Sequence, residues 1–112
     1  MRCRHFVLSG FLMLWVTAAM SAESLNCRRL SLADEIAICG RAQLRDLDRR
    51  MVALYAKVGK RVWDRTRYRQ EQRLFVSKRR ACGGDYNCLK AVYGQRLDEL
   101  NSMSRKLTKA PA

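Results

Sequence analysis

Few side chains in this sequence are equipped for chemistry, and their spacing limits what that chemistry could be. The thiols are Cys3, Cys27, Cys39, Cys82 and Cys88, and the only imidazole is His5. Carboxylates adjoin at Asp34 with Glu35 and at Asp98 with Glu99. Sequence neighbours point in different directions from a helix, so neither pair is set up for two-carboxylate glycoside hydrolysis. Helix capping and a solvated face account for both pairs. Beyond His5 no base exists for a Ser-His-Asp or Cys-His arrangement. There is no glycine-rich phosphate loop and no His-Glu-x-x-His or calcium-loop run. No pair of cysteines has zinc-type spacing. The sequence therefore reads as a non-enzyme, with no catalytic residue, cofactor or metal expected.

The cysteines make sense once the N-terminus is considered. Met1 to His5 carry two arginines, residues 6–19 are almost wholly apolar, and small residues follow at Ala19, Ser21 and Ala22. That order is the layout of a secretory signal, here residues 1–21 with the cut after Ser21 or Ala22. The apolar run is short of the roughly 20 residues a spanning helix needs, so no transmembrane anchor is expected after cleavage. Export removes Cys3 and His5 and leaves Cys27, Cys39, Cys82 and Cys88. An even set in a small exported chain predicts two disulfides in an oxidising compartment, periplasmic or secreted. Three pairings are open. The local pairs, Cys27 with Cys39 and Cys82 with Cys88, are favoured because each brackets a helix break or loop.

Helices must position these cysteines. Residues 23–30 show no period and predict an extended lead-in. Ser31 then opens a capping-box-like start, with Ser31 accepting from the Asp34 amide, and a short helix over 32–39 closed by Gly40. From 42 to about 64, Leu44, Leu47, Met51, Leu54, Tyr55, Val58 and Val62 recur in steps of three and four, the signature of one buried helix face. Gly59 in that run is suited to a bend or a close crossing. After a break near residues 63–67, Tyr68, Gln72, Phe75, Arg79 and Cys82 share the face of another helix. Beyond Gly83-Gly84 a last helix begins at Cys88 or Leu89 with Leu89, Val92, Tyr93, Arg96, Leu97, Leu100 and Met103 inward. It frays from Lys106. The expected fold is an all-α, disulfide-stapled bundle of one short and three longer helices, with an antiparallel hairpin at 68–105. The domain spans 22–107, followed by a disordered tail at 108–112.

Two sets of polar residues stand out. Asp48, Gln72, Arg79, Tyr93 and Arg96 fall on or beside apolar faces, where a charge needs a partner. They predict a buried structural network pairing Asp48 with Arg79 or Arg96. Asp85, Tyr86 and Asn87 form the disulfide-bracketed tip of the hairpin and are the candidate partner contact.

The ordered set Cys27, Glu35-x-x-Ile38-Cys39, Leu44, Leu47-Asp48, Tyr55, Gln72-x-x-Phe75, Arg79-x-x-Cys82, Cys88-Leu89, Tyr93, Arg96 and Leu100 resembles the LprI-like family of small exported bacterial domains, named for a lysozyme inhibitor. The resemblance spans residues 26–100. It departs in two places: the family commonly has tryptophan where Phe75 stands, and Ser24-Leu25-Asn26 before Cys27 is a poor lipidation site, unlike the lipoprotein inhibitor. The resemblance implies a helical binding protein that occludes the cleft of lysozyme or another cell-wall hydrolase.

Charge supports another reading. Without Arg2 and Arg4, 21 basic residues face 10 acidic ones. Fourteen of the basic residues lie between Arg41 and Arg80. Such density attracts anionic partners and suggests an envelope protein that binds anionic polymers or lipids, such as lipopolysaccharide or cell-wall polymer. Intracellular nucleic acid does not fit an exported chain. A net +11 would also repel basic lysozymes at long range, leaving inhibition to short-range contact, with an arginine or the Asp85-Tyr86-Asn87 tip entering a cleft lined by catalytic carboxylates.

Overall fold

The computed structural model describes residues 25–109. The expected signal at 1–21 and the final residues 110–112 lie outside the described residues. Four helices account for most of the chain: α1 (Ala33–Gly40), α2 (Ala42–Gly59), α3 (Arg65–Ala81) and α4 (Tyr86–Lys109). This is the expected all-α bundle of one short and three longer helices.

Helix boundaries differ from expectation where local caps compete with apolar period. The short helix starts at Ala33, and Leu32 rather than Ser31 is its N-cap, with no side-chain hydrogen bond. The capping box is therefore not formed. α2 ends at Gly59, three residues before Val62, the last member of its apolar period, and about five before the expected end near residue 64, and Arg61 N–H turns back to the Val58 carbonyl at 2.9 Å. Asp64 then starts α3 by accepting from the Arg67 N–H at 3.0 Å, an N-cap bond that fixes where a helix begins. Asp85 does the same for α4: its Oδ1 accepts from Cys88 N–H at 2.7 Å, so the helix begins at Tyr86. α4 also reaches Lys109, so positions 108 and 109 of the expected tail are helical.

Contacts between the long helices set their directions. Tyr93 meets Asp48 and Arg61 meets Leu107, so α2 and α4 run parallel. Tyr68 meets Tyr55 and Arg96 meets Gln72, so α3 runs antiparallel to both, the direction its short connections predict. Leu44, Met51 and Val58 recur every seven residues down α2, opposite Leu89, Tyr93, Leu97 and Leu100 of α4. Each such buried side chain contributes about 1.5–3 kcal/mol. Phe75 packs edge-on to the Tyr93 ring at 5.3 Å between centroids, and Tyr55 stacks on Tyr68 at 4.6 Å. Gly59 permits that second contact, since a Cβ there would lie 3.1 Å from Tyr68 Cε1.

α1 packs against α2 at the end where α3 turns into α4. Arg41, extended at φ −125°, is the only residue between α1 and α2. At the α3–α4 turn Gly83 takes φ +56°, a left-handed conformation that glycine adopts without steric cost. Both disulfides belong to this end: Cys27–Cys39 ties the lead-in to α1, and Cys82–Cys88 closes the turn. These are the two local pairs favoured above, and they point to an oxidising, extracytoplasmic compartment. No helix among the described residues is long and apolar enough to cross a membrane.

Candidate functional site

Three features carry polar chemistry: a buried network, the hairpin tip and a basic exterior. The five network residues come together in two groups, and their partners differ from the expected ones. Arg79 pairs with Asp34, its Nε donating to Asp34 Oδ2 at 2.7 Å, with both residues almost fully buried at 6% and 2% exposure. Asp48 instead accepts from the Tyr93 hydroxyl at 2.9 Å and from the Leu25 backbone N–H at 3.4 Å. Tyr93 also lies close enough to Arg79 for each to influence the other's ionisation. Asp34, Arg79, Tyr93 and Asp48 therefore form one relay across all four helices.

Ionisation follows from these contacts. Burial pushes the Tyr93 hydroxyl far above its ordinary value, and the charge and hydrogen bond of Asp48 push it further. The phenol stays a neutral donor. At Arg79 burial opposes the charge, but the hydrogen bond and charge of Asp34, with Tyr93, outweigh it and raise the guanidinium. Tyr68 is raised chiefly by burial and then by Tyr55, and it donates to the Tyr55 carbonyl at 2.6 Å.

The second group is centred on Arg96. Its Nε donates to Gln72 Oε1 at 3.0 Å and its Nη1 to Glu99 Oε2 at 3.1 Å. Gln72 in turn donates to Met51 Sδ at 3.3 Å. Nη2 is buried without a hydrogen-bond partner among the described residues. Arg96 lies at a groove of about 480 Å³ between α3 and α4, walled by Leu74, Phe75, Val92 and Met103.

Asp34 was the residue missed. Its expected place was a solvated cap with Glu35, but α1 turns it inward. Its spacing of four from the core residue Ile38 puts both on one helix face, and that periodicity was the available signal. Glu99 is exposed beside Asp98, as expected, but its carboxylate also pairs with buried Arg96.

At the tip, Asp85 is committed to capping α4 and Tyr86 is half-buried beneath Arg41, whose guanidinium carbon lies 4.4 Å from the ring centroid. Asn87 alone is exposed without such a role. Among the described residues no cluster of three or more His, Cys, Asp or Glu could hold a metal.

Of the fourteen basic residues from Arg41 to Arg80, all but Arg79 are exposed. Surface ion pairs engage only Arg49, Arg50 and Arg67. Arg41, Arg45, Lys57, Lys60, Arg65, Arg69, Arg73, Lys78 and Arg80 have no acidic partner among the described residues.

No family model matches the chain, and neither does any curated protein or solved structure.

Proposed function

We propose that this chain is a periplasmic or secreted, non-enzymatic helical protein that binds anionic polymers or lipids of the cell envelope. The supporting observation is the exterior of α2 and α3, where exposed arginines and lysines greatly outnumber the carboxylates able to neutralise them. Unneutralised charge on a rigid helical frame concentrates positive potential and speeds encounter with polyanions. A non-enzymatic role is favoured because Asp34 is held by Arg79 and Glu99 by Arg96, which leaves neither acidic pair free for acid-base work. Retention on immobilised heparin and lipopolysaccharide tests the reading. Binding should weaken steeply as salt rises, as when counterions are released from a polyanion. Absent or salt-insensitive retention overturns it.

A second reading, occlusion of a lysozyme cleft, draws on the resemblance to LprI-like domains. One structural feature favours it: the Cys82–Cys88 bond and the Asp85 cap hold Asn87 outward on a preorganised tip, which lowers the ordering cost of binding. Addition of the protein to lysozyme digesting cell walls should slow the fall in turbidity. Unchanged lysis at excess protein, across several lysozymes, discards it.

A further inference from the structure

The end of the bundle opposite the disulfides combines groups that the functions above do not use. Trp63 is 100% exposed, far beyond the other exposed large apolar side chains Leu32, Ile36 and Leu74. Its position follows from the local chain: α2 stops at Gly59, Asp64 caps α3, and Val62 turns partly inward, so residue 63 projects from a short connection. The last turns of α4 reach the same end, where Arg61 Nη2 donates to the Leu107 carbonyl at 2.8 Å. Lys60, Arg61, Arg65, Arg67 and Lys106 thus surround the indole or lie close by. Of the nearby carboxylates, Glu71 is paired with the Arg67 side chain, while Asp64 accepts only from the Arg67 backbone N–H and keeps its charge, so the basic groups still outnumber the acidic ones at this end. Beside Trp63 runs a groove of about 370 Å³ walled by Val62, Tyr68, Met103 and Leu107.

We propose that this end docks on an anionic lipid surface, with the Trp63 indole entering the headgroup layer and the basic side chains meeting lipid phosphates. The proposal rests on the polyanion-binding reading and specifies one of its partners. An indole has an apolar body and one N–H, the combination that favours the membrane interface. Basic residues beside it add attraction to an anionic leaflet within a Debye length. Interfacial binding of this kind draws on apolar burial and charge together. A bilayer also suits the exposure of Trp63, because it envelops a projecting side chain on both ring faces, whereas a glycan stacks on one. A second copy of this chain is disfavoured, since it would bring an equally basic end against this one.

The test uses protein recovered from an exporting host and checked by intact mass for loss of Trp15, so that Trp63 is the sole tryptophan. It is mixed with vesicles of phosphatidylglycerol and phosphatidylcholine in equal parts, and with phosphatidylcholine alone. Emission should shift to the blue and be quenched by acyl-brominated lipid on the anionic vesicles only. Trp63→Ala should reduce vesicle partitioning by about tenfold or more while heparin retention is unchanged. Lys60→Glu with Arg65→Glu should reduce it and flatten its salt dependence. Heparin retention with unquenched Trp63, or equal partitioning by Trp63→Ala, overturns the docking and leaves polyanion binding standing. Loss of heparin retention in Trp63→Ala assigns the indole to an anionic glycan and also overturns it. If neither vesicles nor heparin bind, both proposals fall.

Discussion

Asp34→Ala probes the buried relay most sharply, because the sequence places Asp34 in solvent and the fold places it in the core. The substitution removes the carboxylate that meets Arg79 Nε at 2.7 Å, leaving a guanidinium at 6% exposure without its counter-charge. Breaking one partner of a buried ion pair costs about 3–5 kcal/mol. A domain of this size has a total stability near the low end of ~5–15 kcal/mol, so most of it is at stake. Thermal midpoints of such small domains fall by about 4–8 °C per kcal/mol, which predicts a drop of roughly 12 °C at the least. Glu35→Ala is the internal control, since Glu35 is half-buried and makes no ion pair among the described residues. It should change the midpoint by a few degrees at most. Asp34→Leu combined with Arg79→Met removes both charges and should recover much of the loss, because replacing a buried pair by apolar groups is often close to neutral. The assay is thermal unfolding followed by far-ultraviolet circular dichroism. Equal midpoints for Asp34→Ala and Glu35→Ala would refute the buried pair, as would a double variant no better than the single one.

Further expectations concern pH, covalent ties and helix interiors. The hydroxyls of Tyr93 and Tyr68 are raised above the ordinary tyrosine value of about 10, so the folded state holds these protons more tightly than the unfolded chain. Their contribution to stability is complete below about pH 10 and is lost as pH rises beyond it, at up to ~1.4 kcal/mol per pH unit for each. Urea titrations of Tyr93→Phe should show a shallower alkaline slope, and a slope equal to wild type would contradict the assignment. The same variant leaves buried Asp48 short of a donor and should cost about 1–3 kcal/mol at neutral pH. Loop-closure entropy gives about 2 kcal/mol for Cys82–Cys88 and about 3 kcal/mol for Cys27–Cys39. Paired Ser variants measured by denaturant unfolding check both values. Gly94→Ala, with open space at its Cβ inside α4, should stabilise by about 0.5–1 kcal/mol. Gly59→Ala should destabilise, because the new methyl meets the Tyr68 ring.

Much of the fold was legible because the long helices bury the face that their three-four spacing announces. The cysteine pairs were legible because each brackets a break. Helix ends were read less well: a single hydrogen bond from Asp64 or Asp85 outranks several residues of continuing apolar period, and an aspartate in a turn looks the same whether it caps or faces water. The polar network was legible in most of its membership, Asp34 excepted, and not in its pairing. Asp48, Arg79 and Tyr93 declare themselves by interrupting apolar stripes, but which carboxylate meets which guanidinium depends on how deeply α1 docks. That depth is set by Arg41 and the Cys27–Cys39 tie, and one short helix gives little periodicity from which to foresee it. The projection of Trp63 was also hidden, since the apolar spacing of α2 continues through Val62.

The placement of both disulfides at one end has a mechanical consequence. The α1 end is held by two covalent ties and the Asp34–Arg79 pair, whereas the far end is held by a tyrosine stack and the hydrogen bond from Arg61 to the C-terminal end of α4. The molecule resembles a clothes peg with its spring at the α1 end. At the far end α2 and α3 stay joined through residues 60–64, so it is the last turns of α4 that can part from them while the hinge stays closed, and this partial opening costs less than global unfolding. Amide exchange should therefore be fastest in the last turns of α4, and slower where α2 and α3 are joined. A surface that gripped that end would close the peg and slow that exchange first.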